Sequence, residues 1–240
     1  MQYFIEKYDC VGSTNDLVKE KAKAGAPAGT VVLASAQTAG RGRMGRHFAS
    51  PADSGLYMSV LLRPEGKAED ALTITTRAAV AVAKTVEKHT GRPAAIKWVN
   101  DVYQNGKKVC GILTEGQTAP DGSLAYAVLG IGVNLRVPDG GFPEALRDIA
   151  GALFAKGEAF DRDAIAEDIL DAFFEDCSDC YDEYVKRSML DGKTVTVLRG
   201  GEPVCTAEVV GIDRDFALRI RLADGSETKL QTGEVSVRPV

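Results

Sequence analysis

Residues 94–113 read Ala94-Ala-Ile-Lys-Trp-Val-Asn-Asp-Val-Tyr-Gln-Asn-Gly-Lys-Lys-Val-Cys-Gly-Ile-Leu113. Asn105-Gly106 is the pair a two-residue hairpin turn favours, because both central positions take positive φ. It separates Val102–Gln104 from Lys107–Leu113, and a short strand, Ala94–Trp98, leads in. Downstream, Leu124–Asn134 reads as a further strand. Upstream, residues 70–90 carry Leu72, Ala79, Val82, Ala83 and Val86 at helical spacing, with Asp70 as a cap and Gly91 as a stop. Earlier still, strands are expected over residues 2–9, 30–36 and 56–62. A helix starts at Ser13, with Asp16 three residues on, and ends at Gly25. Strands and helices intermixed in this way predict an α+β domain on a mixed sheet.

Past Leu113 the pattern weakens, then changes. Residues 136–162 read as loop with one short helix. Ile165, Ile169, Phe173, Cys177, Tyr181 and Tyr184 keep helical spacing and predict one helix of about twenty residues. After Arg187 come five short strand-like runs, 193–198, 204–213, 217–222, 228–230 and 235–237, punctuated by Gly200-Gly201, Asp224-Gly225 and Gly233. Their spacing predicts a small closed β-barrel. The expected layout is a domain over residues 1–187 and a barrel domain over residues 188–240.

Composition excludes several classes. The chain has 240 residues, 29 Lys and Arg against 34 Asp and Glu, and a formal net charge of −5. A nucleic-acid binder needs a basic surface, so DNA is not an expected partner. The longest nearly apolar stretch, Leu124–Val133, is half of what a membrane span requires, and the N-terminus has no signal-like apolar core. A cytoplasmic protein is expected. Five cysteines form no disulfide framework, and Cys177-Ser-Asp-Cys180 has neither a second pair nor histidines enough for zinc.

Four motifs carry chemistry. Gly40-Arg41-Gly42-Arg43-Met44-Gly45-Arg46 concentrates guanidinium groups on a backbone free to turn tightly around an anion, although a flexible basic surface loop would look similar. It is neither a Walker loop nor a dinucleotide fingerprint. Lys97, Asn100 and Asp101 emerge together at a strand end, where a lysine can neutralise a developing anion. The return strand Lys107–Glu115 and the strand end Gly130-Ile-Gly-Val-Asn134 place glycines where packing or a ligand comes close.

In this order and spacing, Ser13-Thr14-Asn15, Gln37-Thr-Ala-Gly-Arg-Gly-Arg43, Lys97-Trp-Val-Asn-Asp101, Lys108-Val-Cys-Gly-Ile-Leu113 and Gly130-Ile-Gly-Val-Asn134 closely resemble the catalytic region of biotin–protein ligases. The resemblance covers nearly the whole chain and likens the C-terminal strands to that family's SH3-like module. There are departures. Val99 stands where a proline is usual, Met44 where an arginine is frequent, and His47-Phe48-Ala49 lacks a tryptophan often found after the loop. Some relatives carry an N-terminal winged-helix domain. None fits before Ser13, so a form without DNA binding is expected.

The resemblance implies that biotin is activated with ATP and Mg²⁺ to biotinyl-5′-AMP and passed to a lysine of a biotin carboxyl carrier protein. Bringing a carboxylate to a polyphosphate costs roughly 4 kcal/mol per charge pair at ~4 Å and an effective dielectric of 20. Arg41, Arg43, Lys97 and magnesium are the implied compensating charges. By residue-wise match, Ser13, Thr14, Asn15, Gln37, Gly40, Arg41, Gly42, Arg43 and Lys97 belong to the biotin site. Arg41, Arg43, Arg46, Lys108 and Asn134 belong to the nucleotide. Arg43, Lys97 and Asp101 are implied to be catalytic, with Asp101 serving either the metal or the acceptor lysine. The metal ligands are unassigned and a homodimer is left open. The competing readings are a lipoate–protein ligase of the same fold, against which the polar Ser-Thr-Asn set stands, and a non-catalytic biotin-binding regulator.

Overall fold

A computed structural model of the chain describes residues 2–64, 71–176, 178–231 and 235–239. Seven strands form one mixed sheet: β1 (Phe4–Val11), β2 (Thr30–Gln37), β3 (Gly55–Leu62), β4 (Ala95–Lys97), β5 (Asp101–Gln104), β6 (Lys107–Thr118) and β7 (Leu124–Asn134). Their spatial order is β1-β2-β3-β7-β6-β5-β4. Only β1 and β2 run parallel, joined by helix α1 (Thr14–Lys23). The predicted hairpin is present, with Asn105 and Gly106 at φ of 51° and 73°.

Helices cover both faces. On one, α1 packs Val18 and Ala22 against Val32, Leu61, Tyr126 and Val128. On the other, α2 (Ala71–Thr90) and α3 (Arg162–Phe174) cover Val31, Leu33, Leu56, Met58 and Val60. Strand β3 is therefore buried along its whole length, which explains its unbroken apolar run around Ser59. The cap expected at Asp70 lies outside the described residues.

Two expectations are corrected. The single helix expected over residues 165–184 is two, α3 and α4 (Cys180–Lys186). Glu175 turns the chain to extended geometry, with ψ of 149°. It opens a polar stretch whose short Asp and Ser side chains compete for backbone groups and weaken helix. Cys177 lies outside the described residues.

The second correction concerns the C-terminal strands β8 (Thr194–Arg199), β9 (Glu202–Ile212), β10 (Leu218–Arg221), β11 (Glu227–Leu230) and β12 (Val235–Pro239). They form an open antiparallel sheet in the order β11-β10-β9-β8-β12, not a closed SH3-like barrel. Closure needs every strand to have two neighbours. Among the described residues β11 pairs only with β10, and β12 only with β8. Strands β10 and β11 are four residues long, and β11 is mostly exposed. The turn expected at Gly233 lies outside the described residues.

The C-terminal sheet packs its Val195, Val209, Leu218 and Val237 into the same apolar cluster as the main sheet. Its turn before β10 meets the strand end after β4. There the Trp98 indole N–H donates to Phe216 O at 2.9 Å, and the Tyr184 hydroxyl donates to Val99 O at 3.1 Å. The Trp98–Val99 peptide is cis.

Candidate active site

Cross-strand register defines the floor of the site. Ser59 pairs with Gly130 and Tyr57 with Gly132. Across β7, Gly132 pairs with Gly111 and Gly130 with Leu113. Directly paired residues share a face, so Gly111, Gly130 and Gly132 form a depression in the sheet beneath the start of α1. Two side chains use that room. A Cβ on Gly130 would lie 2.2 Å from Asn15 Oδ1, and one on Gly132 would lie 2.5 Å from the Phe48 ring.

Above this floor is a cavity of about 610 Å³. Ser13, Thr14, Asn15, Gln37, Arg41, Gly42, Arg43, Arg46, Lys97, Asp101, Lys108 and Asn134 all line it. Gly40 is the one residue from the sequence reading that does not. A Cβ there would lie 2.4 Å from Phe48 O, and its own carbonyl accepts from the Phe48 N–H at 2.9 Å. Gly40 closes the base of the arginine loop. Gly42 N–H donating to Arg46 O at 2.7 Å and Met44 at φ of 58° make that loop a tight turn folded onto the cavity.

At the β3–β7 end the polar groups are buried and mutually fixed. Gln37 Oε1 accepts from the Thr14 N–H at 2.8 Å, and Gln37 Nε2 donates to Ser50 Oγ at 2.8 Å. Ser59 Oγ lies 2.7 Å from Thr14 Oγ1 and 2.6 Å from Asn15 Oδ1. Asn15 Oδ1 carries no proton, so the Ser59 hydroxyl donates to it. Ser13 takes extended geometry at the helix start, but its hydroxyl does not cap the helix as the sequence suggested.

The β4–β6 end is charged. Lys108 Nζ lies 2.6 Å from Asp101 Oδ1. Arg43 Nη1 donates to Asn100 Oδ1 at 3.1 Å, while Asn100 Nδ2 donates to Ile112 O at 2.9 Å. Burial works against the Arg43 charge, offset in part by nearby Asp101, and the pKa falls below the ordinary arginine value. A guanidinium short of solvation attracts an anion. Burial and the charge of Asp101 push the Tyr103 phenol up to about 12, so it stays neutral. Asn134 donates from Nδ2 to Gly151 O at 2.9 Å and pins the far end of β7.

Glu115, quoted in the sequence reading without a role, gathers three donors: Asn15 Nδ2, Lys19 Nζ and Arg41 Nη2, each at 2.7 Å. Arg41 also meets Asp16 at 2.7 Å. Burial opposes ionisation of Glu115, but the hydrogen bonds from Asn15 and Lys19, with the charges of Lys19 and Arg41, hold its carboxyl below the usual glutamate range. Ser59 was also missed. Its signal was a lone hydroxyl inside the apolar run Gly55-Leu-Tyr-Met-Ser-Val-Leu-Leu62.

Among the described residues no three His, Cys, Asp or Glu side chains gather as a metal site. Among the described residues that line the cavity, Asp101 is the one carboxylate. Magnesium is commonly held by one or two carboxylates together with substrate phosphates. Asp101 fits that role for an ion arriving with a nucleotide.

Fold and cavity thus define an α+β domain with a deep pocket, a fixed polar network and the paired Arg41 at one end and Arg43, Lys97 and Lys108 at the other. Residues 8–134 match the biotin/lipoate A/B protein ligase family, and residues 192–238 match the biotin protein ligase C-terminal domain. The bifunctional ligase/repressor BirA of Bacillus subtilis is 42% identical over 167 residues, 69% of this chain and 51% of that protein. The biotin–[acetyl-CoA-carboxylase] ligase of Mycobacterium tuberculosis is 34% identical over 219 residues, 85% of this chain and 77% of that protein. The biotin protein ligase of Aquifex aeolicus in complex with biotin and ATP superposes with a TM-score of 0.81 at 27% identity, covering 98% of this chain and 99% of that one. The chain belongs to the biotin/lipoate A/B protein ligase family. It spans about half the length of the Bacillus relative. Among the described residues no helix is long and apolar enough to cross a membrane.

Proposed function

We propose that the chain is a biotin–protein ligase. The observation that carries this reading is the division of one pocket by strand order. Thr14, Gln37 and the Ser59-fixed Asn15 stand over β3 and β7, while Lys97, Asp101 and Lys108 come from β4, β5 and β6. Such a pocket suits an elongated ligand with a polar neutral head and a carboxylate tail. The ureido ring of biotin, with one carbonyl and two N–H groups, matches the first end. The similarity to the biotin–[acetyl-CoA-carboxylase] ligase of Mycobacterium tuberculosis and to the Aquifex aeolicus ligase bound to biotin and ATP supports the same ligand.

In the first step a biotin carboxylate oxygen attacks the α-phosphorus of ATP. The bond to the bridging oxygen of the β-phosphate breaks, and pyrophosphate leaves with that electron pair. Lys97 and Arg43 offset the repulsion between the two anions and the charge that builds on the phosphoryl oxygens. Asp101 holds Lys108 and would hold the nucleotide's magnesium, which spreads phosphate charge when bound. In the second step the neutral amine of a carrier lysine attacks the acyl carbon. An amide forms, AMP leaves, and the amine proton passes to solvent or AMP. Phe48 packs against the glycine floor and the arginine loop folds onto the cavity, and together they limit water access to the mixed anhydride.

The test is a mass-shift assay with biotin, Mg-ATP and a biotin-acceptor domain, repeated with lipoate. One biotinyl addition to a lysine is the expected result; lipoyl addition alone would reassign the substrate. Lys97→Ala should remain folded and lose biotin-dependent pyrophosphate release by about 10³-fold. Near-normal release would remove Lys97 from the mechanism.

A further inference from the structure

Glu115 stands on β6 beside the pocket, yet it is not among the residues that line it. It nevertheless touches two residues that do, from two different elements: Asn15 of α1 and Arg41 of the loop. Lys19 and Asp16 complete the group. Glu115 and Asp16 supply two negative charges, and Lys19 and Arg41 two positive ones. The cluster is closed and neutral. If Arg41 left with no anion to meet, a half-buried carboxylate would be left under-compensated, with its side chain only 24% exposed. Leaving for another carboxylate or a phosphate gives Arg41 a new counter-anion, while Asn15 and Lys19 stay on Glu115 and carry its charge.

We propose that Glu115 is a positioning residue that stores the Arg41 guanidinium at the pocket mouth, serving as the internal counter-anion that a substrate carboxylate or phosphate replaces. The exchange half of this inference rests on the biotin ligase reading; the storage half does not. Asn15 donates to the same oxygen, Oε2, that meets Arg41, so one carboxylate sets both the fixed wall and the loop cation. Glu115→Gln separates these tasks. With its amide oxygen in the Oε2 position the glutamine still accepts from Asn15 Nδ2, but it gives Arg41 no counter-charge and no longer accepts from Lys19.

Limited trypsin digestion of the whole ligand-free chain, read by peptide mass, tests storage. Trypsin must take up the guanidinium of the residue it cleaves after, so an Arg41 side chain held by Glu115 resists. Arg46 in the same loop is the internal standard, which cancels changes in overall stability. Glu115→Gln should raise the Arg41-to-Arg46 cleavage ratio at least threefold, and Glu115→Asp should raise it less. Calorimetric titration with biotin tests exchange. With its internal competitor gone, Glu115→Gln should bind biotin three- to tenfold more tightly, whereas a merely structural role predicts weaker binding. An unchanged or lower cleavage ratio overturns storage, and unchanged or weaker biotin affinity in the folded variant overturns exchange. If Glu115→Gln does not fold, Asp16→Asn carries both measurements with the same expected directions. Failure of the wild-type chain to bind biotin would strike the functional reading and the exchange together, while the cleavage ratio still decides storage.

Discussion

The indole N–H of Trp98 donates to the main-chain carbonyl of Phe216, 118 residues further along the chain, at 2.9 Å. This bond ties the strand end that bears Lys97, Asn100 and Asp101 to the C-terminal sheet. Tyr184 completes the tie: its ring meets Phe216 edge-on with centroids 5.4 Å apart, and its hydroxyl donates to Val99 O. Tyr184→Phe keeps the ring and leaves that buried carbonyl without its donor. The expected loss is about 1–3 kcal/mol of stability. Trp98 is the sole tryptophan, so urea unfolding followed by its fluorescence reads the effect at the contact itself. A midpoint unchanged from wild type would show that the tie contributes nothing.

The Gly130–Asn15 contact makes a second prediction. Gly130→Ala places a methyl carbon 2.2 Å from Asn15 Oδ1 and 3.0 Å from its Cγ, and Asn15 is held too firmly by Ser59 and Glu115 to yield. Biotin affinity should fall at least tenfold in calorimetric titration. Gly140→Ala, with no atom within 4 Å of its new carbon, should bind as wild type. Equal affinities for the two variants would show that the glycine floor does not set the position of Asn15.

Much of the site was legible because its residues act where they stand in sequence. Asn105-Gly106 turns, Gly130 and Gly132 lie where another group comes close, and Arg43 and Lys97 line the same cavity. Relations across the fold were less legible. The helical spacing of Tyr181 and Tyr184 continues in phase past Phe173, although Glu175 interrupts the helix itself. Five short strands with glycine turns look alike whether or not the last pairs with the fourth, so the open C-terminal sheet could not be told from a barrel. Glu115 acquires its partners only when α1 and the loop at Arg41 settle beside β6. Its charge in the sequence looked like any solvated return-strand acid.

Acid should loosen the Glu115 cluster. A carboxyl whose folded pKa is depressed contributes stability that is fully present above its unfolded value, about 4.3, and is lost as pH falls through the lower folded value. Glu115 is such a group. The urea midpoint of the wild-type chain should therefore exceed that of Glu115→Gln near neutral pH. The gap should narrow once pH drops below about 4.3. A gap that does not change between pH 7 and pH 3 would mean that the carboxylate charge contributes no stability.

Arg43 links the loop to the strand end through Asn100, and Asn100 is fixed in turn by Ile112 O. Burial leaves its guanidinium poorly solvated, so an acyl-phosphate anion in the pocket would gain from it both charge and a loop held shut. Arg43→Ala removes the charge and the loop's bond to Asn100 together. Biotinyl-adenylate should then escape or hydrolyse faster, by about 10- to 100-fold, in line with a loss of roughly 1.4–3 kcal/mol of charge-assisted bonding. The measurement is retention of radiolabelled adenylate on the enzyme after rapid gel filtration, followed over time without acceptor. Retention equal to wild type would leave the arginine loop with a part in binding and none in sheltering the intermediate.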